Sequence, residues 1–265
     1  HLLTMSHCVG HSDFFKNNRM FKETDPANVI SRFKSAAKRV QDYIEDPSIG
    51  IDKVEAILDA CHSIQYQLPR TPGIKRKTEE EAKKDLFKRT KGLLNVENGL
   101  VQKDYNLIGF IRKNARGLEN WEQDLMEMVE KRSLYFMPQA QTKEMNEGWA
   151  VLIHEKIMKD LDLPDKYHLS FLKTHNQVVR PIIGRVNPYH LGYMIFKDIE
   201  EKHGFEECKA VREVHNDESF IRKYLTEELC RELNLFSYSY HTRTDNYTVS
   251  EISDEEGWKS VRDAL

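Results

Sequence analysis

The chain has 265 residues, a formal net charge of −3, 31% charged residues and 39% apolar residues. This near-balance gives no support for general nucleic-acid binding, which needs a concentrated basic surface. No apolar run approaches the roughly 20 residues of a membrane-spanning helix. The composition suits a globular protein built from amphipathic helices.

Residues 2 to 20 read as the first helix, with Phe14 and Phe15 as packing residues. Asp25-Pro26 is a helix start, and Val29, Ile30, Phe33, Ala36, Ala37, Val40 and Ile44 recur at helical spacing after it. Pro47 and Gly50 break that helix, and a further one is expected over 52–67. Residues 75–91 alternate basic and acidic side chains, so 70–103 is expected to be a charged surface insertion or loop. Helices follow at 105–114 and at 119–136, the second ended by Pro138. The next runs from Gln141 to Leu161. Another starts at Pro164 and ends near Thr174-His175-Asn176, and one opens at Asn187-Pro188-Tyr189 and is stopped by Gly204. Residues 217–233 read as one more helix, 236–252 as strand, turn and strand, and 255–265 as a closing helix. The expected fold is mainly α with a small C-terminal β-hairpin, in one domain over 1–265. His1 is not an initiator Met, so a preceding segment is expected.

Cys8, Cys61, Cys208 and Cys230 lie far apart with no CxxC pair, which suits reduced thiols. No charged n-region followed by an apolar core marks a signal peptide. No glycine-rich phosphate loop appears, which argues against nucleotide chemistry.

The chemistry-bearing stretches are two. His7 and His11 are four apart, so on a helix their imidazoles share one face and can bind one metal ion. The stretch resembles the H-E-x-x-H zinc helix, with Cys8 in place of the general-base glutamate. Downstream, Asn146-Glu147-Gly148-Trp149-Ala150 resembles the run that supplies a third, glutamate ligand in many zinc peptidases. Glu147 sits among apolar residues, and an inward carboxylate must be paired or bound to a cation. His7, His11 and Glu147 are therefore the expected metal ligands. Zn²⁺ is the expected ion, with Fe²⁺ as the alternative, because two imidazoles and a carboxylate suit both. Glu144, His154 and His175 are the candidates for the missing base, and Tyr189 could donate a hydrogen bond to an oxyanion. His154 lies about 10 Å along the helix from Glu147, too far to share one ion with it.

The strings from His7 to Asn18, Pro138 to Ala150, Thr174 to Val179, Asn187 to Gly192 and Asp217 to Ile221 resemble, in order, the stage V sporulation protein R (SpoVR-like) family. The resemblance covers nearly the whole chain. It implies a cytoplasmic protein, linked in spore formers to spore cortex formation and often encoded beside a serine protein kinase, a candidate partner. Taken together, the expectation is a divergent zincin-like metalloprotein with a helical core. Its chemistry would be metal-dependent hydrolysis of a peptide or amide bond. The alternatives are a non-catalytic, metal-stabilised protein-interaction module and a non-haem iron enzyme.

Overall fold

The computed structural model describes residues 1–22, 24–69, 106–161, 163–182 and 185–265. The charged stretch 75–91 and the insertion expected at 70–103 lie outside the described residues. Among those described the helices are α1 (Leu2–Asn17), α2 (Val29–Glu45), α3 (Ile51–Ser63), α4 (Leu107–Asn114), α5 (Asn120–Ala140), α6 (Lys143–Asp160), α7 (Asp165–Val179), α8 (Pro188–His203), α9 (Phe205–Val214), α10 (Asp217–Tyr224), α11 (Glu227–Glu232) and α12 (Trp258–Asp263). Strands β1 (Phe236–His241) and β2 (Asn246–Ile252) form an antiparallel hairpin between α11 and α12. The fold is mainly α, as the helical periodicities predict. No helix among the described residues is long and apolar enough to cross a membrane. The chain divides into two units, His1–Lys22 with Gln139–Leu265, and Glu23–Pro138.

The first unit is organised around α6. Helix α1 packs on one side of it and α8 on another. Accordingly α6 is buried at Met145, Gly148, Trp149, Ala150, Val151, Leu152, His154 and Met158, positions that run around the helix rather than along one stripe. Small residues make these contacts close. A Cβ on Gly10 of α1 would lie 2.6 Å from the Ala150 Cα, and one on Gly148 would fall onto the backbone of Gly192 in α8. Phe14, Trp149, Phe196 and Phe220 are fully buried beside these crossings. Each such side chain stabilises the unit by about 1.5–3 kcal/mol through apolar area removed from water.

Helix ends are fixed by side chains. The Asp217 carboxylate accepts from the backbone N–H groups of Glu144 (3.1 Å) and Met145 (2.9 Å), so it caps α6 from a distant part of the chain. Asn187 caps α8 by accepting from the Tyr189 N–H, with Pro188 in the first turn. In the second unit, Arg39 and Tyr43 of α2 both donate to Asp124 of α5, at 2.9 and 3.0 Å, over a core of Cys61, Ile108, Met126 and Val129.

Several boundaries differ from the sequence reading, among them α3, which ends at Ser63 rather than at 67, and α7, which runs to Val179 rather than ending near 174–176. Helix α1 ends at Asn17 because Asn18 turns extended and caps a short 3-10 turn: its Oδ1 accepts from the Met20 N–H, while its Nδ2 donates to the carbonyls of Arg212 and His215. Pro138 lies inside the last turn of α5, where only one intrahelical bond is forfeited, so the helix runs on to Ala140. The helix expected over 217–233 is two, because Leu225 is extended and Thr226 caps α11 through the Leu229 N–H. Gly204, at φ +85°, ends α8 as expected but α9 starts directly after it.

Candidate metal centre

His7 and His11 reach α6 from one face of α1, one turn apart, with ring centroids 4.5 Å from each other. Both Nε2 atoms face the same Glu147 oxygen, Oε2, at 3.5 Å from His7 and 3.4 Å from His11. That oxygen is buried and has no hydrogen-bond partner. The three candidate ligands come together as the sequence predicts, their donor atoms all within 4.8 Å of one another. Their side chains keep 18–24% of their surface exposed, so the group lies at the edge of the core rather than inside it.

These separations discriminate between two readings. A charge-assisted N–H···O bond closes to about 2.7–2.9 Å. Atoms about 2.1 Å from a shared tetrahedral ion stand about 3.4 Å apart. The observed 3.4 and 3.5 Å match the second spacing. The unpartnered oxygen fits as well, since a buried carboxylate oxygen without a donor is costly unless a cation serves it.

The far nitrogens of both imidazoles are also engaged. His11 Nδ1 lies 2.9 Å from the Asn146 Oδ1, an acceptor, so this ring carries its proton on Nδ1 and presents a lone pair at Nε2. His7 Nδ1 lies 3.1 Å from Nδ1 of His154, and His154 Nε2 lies 2.8 Å from Nδ1 of His175 on α7. His154 and His175 are buried, at 1% and 6% exposure. Burial, and then the neighbouring His175 and His7, push the His154 pKa down to about 3, which keeps it neutral. Burial lowers that of His175 as well.

The other predicted site residues fall in three places. Tyr189, the second residue of α8, stacks its ring on His7 with centroids 6.0 Å apart. Burial first, and then the Glu147 carboxylate beside it, raise the pKa of its hydroxyl, so it stays a protonated donor. His154 and His175 stand behind His7 instead of at the open side. Glu144 packs against Asp217, whose pKa is pushed up to about 9 by burial and by the Glu144 carboxylate. Cys8, at the position of the glutamate in H-E-x-x-H, is exposed.

Sequence reasoning missed the groups that hold the three candidate ligands in register. Asn146 adjoins Glu147, and that adjacency was its only signal. Asp13, two residues after His11, accepts from the Trp149 indole N–H at 2.9 Å and is ion-paired with Arg212 of α9. The Arg212 guanidinium lies 5.0 Å from the Trp149 ring centroid and is 8% exposed. Arg212 carries no sequence signal.

The comparisons with known proteins bear on the same residues. A protein of Escherichia coli (strain K12), named uncharacterized protein YcgB, is 30% identical over 315 residues. That match takes in 99% of this chain but 61% of the relative, so the chain spans about three-fifths of the relative's length. No solved structure matches. The family described as SpoVR like protein matches residues 1–265, from the histidine helix to the last helix, and the chain belongs to that family.

Proposed function

We propose that this region holds one divalent cation, zinc in the first instance, through Nε2 of His7, Nε2 of His11 and the Glu147 carboxylate, and that it hydrolyses a peptide or amide bond. The observation that carries the reading is the pair of 3.4 and 3.5 Å separations around an otherwise unpartnered carboxylate oxygen. A bound cation of this class supplies Lewis acidity, polarising a carbonyl oxygen or a water molecule. The chain's own groups supply orientation. Asn146 fixes the His11 ring, His154 backs the His7 ring, and the neutral Tyr189 hydroxyl, hydrogen-bonded to Glu147, is the donor beside that carboxylate that would turn to a substrate oxygen. Partial exposure of the three ligand side chains favours a site that substrate can reach over a closed structural staple. A cell-wall-related amide is one substrate class this reading admits, and the family resemblance adds a serine protein kinase as a candidate partner.

The test is metal content by mass spectrometry on natively purified protein, wild type and Glu147→Ala. The expected result is about one zinc per chain in the wild type and a loss of most of it in the variant. Iron in place of zinc would move the reading to a non-haem iron centre. No metal in either protein would overturn it.

A further inference from the structure

The two ligand histidines are held by different kinds of partner. His11 faces an amide oxygen, which can only accept, so its tautomer is fixed whether or not an ion is present. His7 faces another imidazole, which can accept or donate, and that imidazole faces a third.

A neutral imidazole has one N–H and one lone pair. Two N···N hydrogen bonds in series through His154 therefore allow two arrangements. In the first, the Nδ1–H of His7 donates to Nδ1 of His154, and the Nε2–H of His154 donates to Nδ1 of His175. His7 Nε2 is then a bare lone pair aimed at Glu147, and His175 ends with its proton on Nε2. In the second, every bond is reversed: His175 donates from Nδ1, His154 donates from Nδ1, and His7 carries its proton on Nε2, toward the Glu147 carboxylate at 3.5 Å. Only the first arrangement leaves His7 able to bind a cation.

We infer that His7, His154 and His175 form a relay of coupled tautomers in which a cation at Nε2 of His7 selects the first arrangement, so that His154 and His175 are positioning residues for the metal centre and His175 registers its occupancy. This rests on the cation reading above. The change balances: one proton leaves Nε2 of His7 for water, His154 and His175 each pass one along the two N···N bonds, one is taken from water at Nε2 of His175, and each ring carries one N–H before and after. The inner end of the relay lies on α7 beside Tyr193 of α8, ring centroids 5.6 Å apart, and Tyr193 donates to Glu155 of α6 at 2.7 Å. Occupancy at the α1–α6 contact is thereby conveyed to the α6–α7–α8 contact without any backbone step.

The experiment is ¹⁵N-imidazole NMR on the protein, metal-free and after addition of Zn²⁺ alone, which reports which ring nitrogen carries each proton. The expected result is that His11 keeps its proton on Nδ1 throughout. His154 and His175 should both place theirs on Nε2 in the Zn²⁺-bound protein and both on Nδ1 in the metal-free protein. One equivalent of Zn²⁺ bound with His154 and His175 unchanged would overturn the relay and leave the cation site standing. No Zn²⁺ bound at all would overturn both. His154→Leu, which leaves Nδ1 of His7 without its partner, should weaken Zn²⁺ binding by about 10–100-fold, with His154→Gln recovering part of it. Equal affinity in His154→Leu, in a protein whose remaining spectrum shows it folded, would also overturn the positioning role.

Discussion

The helices α6 and α2 bury their surfaces in opposite ways. Helix α2, in the second unit, has one buried residue, Val29, and its polar side chains reach out to partners such as Asp124. Its apolar residues form one stripe, and that stripe is what sequence periodicity detects. Helix α6, in the first unit, is packed on several sides and buries eight residues, among them a histidine and a glycine. A helix surrounded in this way has no single stripe to detect. What marks it instead is residue size: Gly148 and Ala150 are the points where α8 and α1 come closest. The three candidate ligands lie on the two helices of one such tight contact, His7 and His11 on α1 and Glu147 on α6, and close packing of that kind holds side chains to within about 0.5 Å, the tolerance a shared ion would need.

The sharpest way to break that comparison is to add one methyl group in each unit. A Cβ at Gly192 would collide with the backbone carbonyl of Glu144, which no rotamer change relieves. Gly192→Ala should cost about 4 kcal/mol or more, a large share of the roughly 5–15 kcal/mol of an ordinary domain, and move the urea midpoint far down. A Cβ at Gly109 of α4 would meet the side-chain ends of Asn106 and Glu130 at 2.7–2.9 Å, and these can move aside. Gly109→Ala should change stability by about 1 kcal/mol. Similar urea midpoints for the two variants would show that the α6–α8 contact yields more readily than its geometry indicates.

A second test concerns the Asp13 charge, which ties α1 to Arg212 of α9 and, through Trp149, to α6. Removing Asp13 leaves the buried Arg212 guanidinium with an uncompensated charge, and its Nε already lacks a partner. Asp13 itself is 38% exposed, which moderates the loss. Asp13→Ala should cost about 2 kcal/mol, and the double variant Asp13→Ala with Arg212→Leu should recover a good part of that, since the stranded charge is gone. Urea unfolding of the two variants and the wild type closes the cycle. If the double variant is no more stable than Asp13→Ala, the ion pair is not what the contact depends on, and the Asp13–Trp149 hydrogen bond becomes the stronger candidate.

How much of this was legible beforehand follows from the same contrast. The α2 stripe, the Asn187-Pro188 start of α8, the Gly204 stop and the hairpin are each encoded by neighbours in sequence, and each was found where expected. So was the convergence of His7, His11 and Glu147, because i, i+4 spacing fixes two of them and the surrounding apolar residues turn the third inward. Asn18, Arg212 and Asp217 were not legible. Their partners lie tens to nearly two hundred residues away, and a long-range hydrogen bond leaves no period in the chain. For the same reason His154 and His175 could be named as candidates from their type but not ordered into a series behind His7.

Asp217 gives the finest test of that long-range class. Its carboxyl caps α6 while facing the Glu144 carboxylate, and burial together with that neighbour pushes its pKa up to about 9. A folded-state pKa above the unfolded value means the folded chain holds the extra proton. Its stabilising contribution is therefore complete below about pH 4 and is lost as pH rises through about 9. Asn keeps an acceptor for the backbone N–H groups, has N–H donors for Glu144 and does not titrate. Asp217→Asn should match the wild type near pH 4 and exceed it increasingly, by several kcal/mol, toward pH 9, read from urea midpoints across that range. Parallel pH profiles would mean that Asp217 is already ionised in the folded protein. The two backbone N–H groups at the start of α6 would then outweigh both burial and the Glu144 charge, and the cap would owe its strength to the helix end rather than to a shared proton.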